Sequence, residues 1–257
     1  MAKLSTQPVG STVILKIDGS AKPFIIVHQG LPSSIYDSSC NGTWLQMQDA
    51  FTSTAWDYGL DGHADNDYAN SDIHEFLNDV YFPLFDKDTQ DAIKEVKIPY
   101  WNGTGSGGSL ATGSSGLTCK VFLPAYNEYV AETTHFLPAD GSRLSFFATV
   151  NQSNFSPYET WLRSPCTTDT ISAGRMNMYA VGAEVTASHN IRPMMVMNGD
   201  CEVDSDGYIV PVANVNGTVS IGGSAKKLDK SYVNVGSSWK EVVKSYVNVG
   251  GVWKPTT

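Results

Sequence analysis

Five histidines, four cysteines and a run of acids are the residues of this chain whose chemistry could be put to work. His28, His63, His74, His135 and His189 show no H-E-x-x-H or other paired spacing, and no G-x-S-x-G elbow offers a nucleophile. A lone histidine such as His74, with no partner one helical turn on, reads as structural or solvated. Glu128 and Glu132 could in principle flank a glycosidic bond, but two acids among 26 arise readily by chance. The run "LDGHADNDYANSD" clusters Asp61, Asp65, Asn66, Asp67, Asn70 and Asp72, oxygens of the kind a hard cation favours. Read as a calcium loop from Asp61 or Asp65 it lacks the glycine at position six and the glutamate at position twelve, so a solvated loop entering a helix is the better reading. "DSDG" at 204–207 reads as a β-turn. The expectation is a protein without enzymatic chemistry, metal or cofactor.

Cys40, Cys119, Cys166 and Cys201 contain no C-x-x-C pair, so zinc and redox spacings are absent. An even count permits two disulfides. The N-terminus "MAKLSTQPVG" does not read as a signal peptide, which favours buried thiols packing as small hydrophobes. Net charge of −9 and a pI near 4.9 oppose binding to nucleic acid, and no apolar run reaches the roughly 18 residues of a membrane span.

The elements that would carry any site follow from pattern. "STVILKIDGSAKPFIIV" (11–27) is two β-rich runs around Asp18-Gly19, a hairpin. "SDIHEFLNDVYFPLF" places Ile73, Phe76, Leu77, Val80 and Tyr81 on one helical face, with Ser71 as N-cap and Pro83 as terminator. "DKDTQDAIKEVKI" (86–98) predicts a second helix with acids early and lysines late. Asn102 to Gly116, rich in Gly and Ser, predicts a long exposed loop. Short apolar runs between turns then predict an α+β fold with a mainly antiparallel sheet and two helices.

Within 158–196 two apolar ends bracket a polar, small-residue middle, Cys166 to Asn190. Arg175, Asn177 and Tyr179 alternate and would project to one side of a strand, with Met176 and Met178 facing the other way. Tyrosine and arginine give large contact area and directional donors, so this is a candidate binding face, with Glu184, Thr186 and His189 further along it. Arg163 and Arg192, near Pro165 and Pro193, read with Trp161 as the frame, because one guanidinium can satisfy several loop carbonyls.

The chain ends in "VSIGGSAK" (219–226), "VNVGSSWK" (233–240) and "VNVGGVWK" (247–254), three copies at a spacing of fourteen, each read as a β-hairpin. The expected division is 1–212 for the main domain and 213–257 for the repeats. Hairpins are marginal alone, so Tyr232, Trp239, Tyr246 and Trp253 need a surface, either on the same protomer or on an assembly partner.

"WLRSP" and "IRP", with "GTWL", "NSDIHEFLN", "VKIPY" and "GLTCKVFLPAYNEY" before them, resemble over roughly residues 7–200 an uncharacterised domain frequent in gut bacteria and their phages. The repeats are similar to those ending phage structural and tail proteins. That domain in turn resembles the C-type lectin-like fold, including ligand-display proteins with a changeable face. The Glu-Pro-Asn and Trp-Asn-Asp signatures of calcium-dependent lectins are absent, as are the cysteine and metal sites of formylglycine-generating enzymes. The resemblance implies a phage virion protein on a tail or surface fibre, homo-oligomeric, binding a host-surface glycan or protein and meeting other virion proteins through its repeats. Its alternatives are a decoration protein that recognises nothing outside the particle, and a polysaccharide-degrading enzyme.

Overall fold

The computed structural model describes residues 2–59, 64–132, 134–150, 159–176 and 180–210, together with six strands within 211–257. The chain separates into two compact units, Met1–Pro211 and Val212–Thr257. The first holds β1 (Ala2–Lys3), β2 (Thr12–Ile17), β3 (Ser20–Gly30), β4 (Gly42–Met47), β5 (Thr52–Thr54), β6 (Val96–Ile98), β7 (Tyr100–Asn102), β8 (Ser109–Ala111), β9 (Leu117–Cys119) and β10 (Val121–Phe122). After them come β11 (Thr160–Pro165), β12 (Ser172–Met176), β13 (Ala180–Glu184), β14 (His189–Ile191), β15 (Met194–Met197), β16 (Glu202–Val203) and β17 (Ile209–Val210). Among the described residues four short α-helices interrupt them: α1 (Asp72–Glu75), α2 (Lys87–Ala92), α3 (Tyr126–Tyr129) and α4 (Ser145–Thr149).

Two five-stranded sheets dominate. One runs β10-β15-β4-β3-β2 and is antiparallel throughout. The other runs β13-β12-β11-β14-β5, with a single parallel pair, β11 against β14. The fold is thus α+β and mainly antiparallel. At the β2–β3 turn Asp18 and Gly19 both take positive φ (47° and 71°), the geometry a two-residue hairpin with a right-handed twist demands. Every residue of β4 after Gly42 is buried, as in a strand covered on both faces. Trp44 meets Tyr36 and Phe122 edge-on there. All four cysteines are buried and unbridged.

Three local expectations change. The helix begun under Ser71, whose hydroxyl accepts the His74 N–H, is α-helical only to Glu75 and then widens into a π-turn over Phe76–Tyr81. Asn78 is the reason: its side-chain amide donates to the His74 carbonyl, the acceptor an α-helix reserves for the Asn78 backbone N–H. That amide also holds Val121 O, and its oxygen accepts Lys120 N and Val121 N, tying the turn to β10. Ile73, Leu77 and Tyr81 are buried, but the shifted register leaves Val80 half exposed.

The second helix stops at Ala92, because Ile93 is extended and the β-branched Val96 and Ile98 pair with β9. Among the described residues the two helices expected become four short ones. The Gly/Ser stretch is not a bare loop: β7 pairs with β8, and Gly105 is buried with φ +47°. A Cβ on Gly108 would lie 2.0 Å from Trp101 Nε1, so glycine there is what lets the Trp101 ring close onto the hairpin.

In the second unit the strands β18 (Thr218–Ile221), β19 (Ser224–Lys227), β20 (Tyr232–Val235), β21 (Ser238–Glu241), β22 (Tyr246–Val249) and β23 (Val252–Pro255) pair as three separate two-stranded ribbons. Each closes through two residues, and Val219↔Lys226, Val233↔Lys240 and Val247↔Lys254 repeat one register. The side chains of Tyr232, Trp239, Tyr246 and Trp253 lie outside the described residues.

Candidate ligand-binding face

The second sheet carries one half of a buried charge pair. Arg163, on β11, is fully enclosed and uses every donor it has. Nε donates to Pro99 O at 3.1 Å, one terminal nitrogen to Leu123 O and Glu128 Oε2, the other to Glu128 Oε1 and Asp140 O. Burial by itself would lower the guanidinium's pKa, but Glu128 outweighs it and holds the charge firmly. The Glu128 oxygens also accept from Tyr36 Oη and Ala125 N. Burial pushes the neighbouring Asp140 carboxyl up to about 6, against the pull of Arg163 and of the Ser164 hydroxyl that bonds it. Three loops, around Pro99, Leu123 and Asp140, thus hang on one side chain. Glu128 is enclosed and occupied, whereas Glu132 is exposed, so these two acids do not form a paired site.

Arg192 is likewise buried and donates to Gln48 O at 2.6 Å. Trp161 is fully buried, with Nε1 donating to Thr54 O at 2.9 Å and its ring meeting His189 edge-on at 4.7 Å.

Across the sheet Trp161 pairs with Arg175, and Arg175 with Val181. Arg175 is three-quarters covered and ion-paired with Glu159, which lies immediately before β11. Glu159 also sits 3.4 Å from His189 Nδ1. Burial and then Arg175 lower the His189 pKa, with Glu159 opposing, so the ring is neutral at pH 7. Met176 is buried on the reverse side. Glu184 and Thr186 are exposed beyond β13. Asn177 and Tyr179, expected beside Arg175, lie outside the described residues. The structure therefore brings Arg175 and His189 together through Glu159, a bridge that sequence spacing does not disclose.

Two more residues escaped the sequence reading. Tyr58 is 56% exposed beside Thr54 on the edge strand β5. Asn66, inside the acidic run, is completely buried: its amide nitrogen lies 2.7–3.0 Å from the carbonyls of Cys166, Asp169 and Ser172, and its oxygen accepts Gly105 N. It locks the β11–β12 turn to the Gly-rich hairpin. Asn66→Ala would strand these buried groups, and we expect a loss of about 2–3 kcal/mol, read as a lowered melting temperature. A variant that melts within 1 °C of the parent would show the clamp to be dispensable. The acids around it serve as turn acceptors, Asp57 for Gly59 N and Asp65 N and Asp72 for Tyr58 N, and among the described residues no three ligating side chains group as a metal site would require.

Residues 41–199, more than half of the chain, match the model of the family described as Domain of unknown function (DUF6273). No curated protein and no solved structure matches the chain.

Proposed function

Since the chain belongs to this family, whose description assigns no activity, we propose, from the resemblance of its domain and repeats to phage proteins together with the geometry of the face, that it is a recognition protein of a phage particle. In this reading its first unit is a C-type lectin-like domain displaying a binding face for a host-surface glycan or protein. The observation that carries the reading is the support given to β11: a fully satisfied Arg163–Glu128 pair fixes the loops, and Trp161 packs edge-on against His189, a member of the row Glu159, Arg175 and His189. A binding face gains most when its anchors are held before the ligand arrives. The hairpin repeats would attach the protein to other virion proteins or to further copies of itself, since two-stranded ribbons need a covering surface. In the described residues no helix is long and apolar enough to cross a membrane.

The test is adsorption. Particles carrying the double variant Arg175→Ala/His189→Ala should assemble normally and bind host cells at least about tenfold less, as expected when a few residues dominate binding. Normal adsorption by assembled variant particles would make the face ordinary surface and leave decoration of the particle as the better reading.

A further inference from the structure

At the β5 end of the recognition row lies an exposed aromatic ring whose hydroxyl is hydrogen-bonded within the protein. Tyr58 has more than half its surface open to solvent, yet its hydroxyl bonds Thr54 Oγ1 at 2.8 Å and its backbone N–H bonds Asp72 Oδ2 at 2.7 Å. The ring is tethered at its hydroxyl, and the main chain that carries it is held as well. A free tyrosine side chain loses rotamer entropy on binding; this one has already lost it.

Its polar neighbours lie on one face of the sheet: Thr54 bonds the Tyr58 hydroxyl and stands opposite His189 in the β5–β14 register, whereas Ser53, 2.9 Å from Ser188 Oγ, projects to the other face. Further along, the carboxylate of Glu159 neutralises Arg175. The row therefore runs from a bare ring through a hydroxyl and an imidazole to a compensated ion pair. It offers donors, acceptors and one π-face, with the Asp72 carboxylate against the Tyr58 backbone N–H as a further acceptor.

We propose that Tyr58, with Thr54 and His189 beside it, forms a subsite for an uncharged sugar residue, with the apolar C–H face of the pyranose lying on the Tyr58 ring and its hydroxyls meeting the side chains around it. The ring face carries negative quadrupole charge and so attracts the weakly positive C–H bonds of a sugar. Hydroxyl side chains can donate or accept as an alcohol ligand requires. An acidic polysaccharide suits the site poorly: Arg175 already has its carboxylate, and the chain carries a net charge of −9. This subsite rests on the recognition reading and narrows it to neutral glycan.

The experiment uses the full chain passed over immobilised mannose, galactose, glucose and N-acetylglucosamine, with glucuronic acid and N-acetylneuraminic acid as charged probes. Retention is expected on at least one neutral sugar and on neither acid. Tyr58→Ala should weaken it by about tenfold, in the range stacking on an aromatic ring provides, while Tyr58→Phe, which keeps the ring, should lose less. Tyr58 is more than half exposed, so both variants should fold, and the melting curve of each excludes a folding failure. Retention only on the acidic sugars, or equal retention of Tyr58→Ala and the parent, overturns the subsite. If no sugar retains the protein while the Arg175→Ala/His189→Ala particles still fail to adsorb, the subsite falls, the recognition reading survives, and the receptor is a protein.

Discussion

Replacing Arg163 by methionine is expected to destabilise the first unit by about 3–5 kcal/mol, the usual cost of removing one partner from a buried ion pair. The loss does not measure the strength of the pair, which against an apolar substitute of the same volume is close to neutral. It measures what is left behind. Glu128 would remain fully enclosed with only Tyr36 Oη and Ala125 N to stabilise its charge, and the carbonyls of Pro99, Leu123 and Asp140 would each lose a donor. The double variant Arg163→Met/Glu128→Gln should therefore recover part of the stability, because no charge is then buried alone. Arg163→Lys should not recover it, since an ammonium has no fork to hold both Glu128 oxygens. Chemical denaturation of the four proteins checks this. A double variant less stable than Arg163→Met would mean that the carbonyl bonds, and not the stranded carboxylate, dominate.

Arg163 also illustrates what can be read from the chain before its structure is known. An arginine in the largely apolar "WLRSP" run is visibly out of place on a solvent-facing surface, so its burial is legible; its partner is not. Glu128 is 35 positions away and is met only because β11 passes α3, a long-range pairing that no local pattern encodes. The β2–β3 hairpin was legible for the opposite reason, its signal lying entirely in neighbouring residues and a turn that tolerates positive φ. That hairpin precedes residues 41–199, the span of the family match, and supplies two of the five strands of the first sheet.

Where tertiary contacts outvote local preference, the sequence misleads. Residues 76–81 carry a sound helical pattern, but the Asn78 amide takes a carbonyl of its own helix and the backbone slips into a π-turn. Residues 93–98 have helix-forming lysine and glutamate, but β9 offers Val96 and Ile98 a strand partner. On the candidate face the same limit applies. The alternation of Arg175 and Met176 is a period-two signal and shows in the strand, whereas Glu159, Tyr58 and Asn66 look like ordinary surface residues until the fold brings them to their partners. A buried asparagine in a run of acids has no local mark that separates it from a solvated one.

Trp161→Ala is expected to cost about 3–5 kcal/mol, the range for deleting a large buried aromatic side chain, and to alter the candidate face as well as the core. Its indole is fully enclosed, so truncation leaves a cavity that β11 and β14 cannot close without giving up their pairing at Thr160↔Asn190. The Thr54 carbonyl also loses its indole donor, which loosens β5 at the position that tethers Tyr58. For a unit of this size such a loss lowers the melting temperature by on the order of 10 °C. A second measurement separates the positioning role from bulk stability: the His189 ring packs edge-on against the indole, and burial is the leading cause of its lowered pKa. With the indole gone the imidazole gains water, and its titration, followed by NMR below the melting point, should move back up towards 6.5. Trp161→Phe should keep much of the packing and leave the His189 titration close to that of the parent. If Trp161→Ala melts lower but His189 titrates unchanged, the tryptophan fills the core without shaping the face, and the pre-positioned row loses its support.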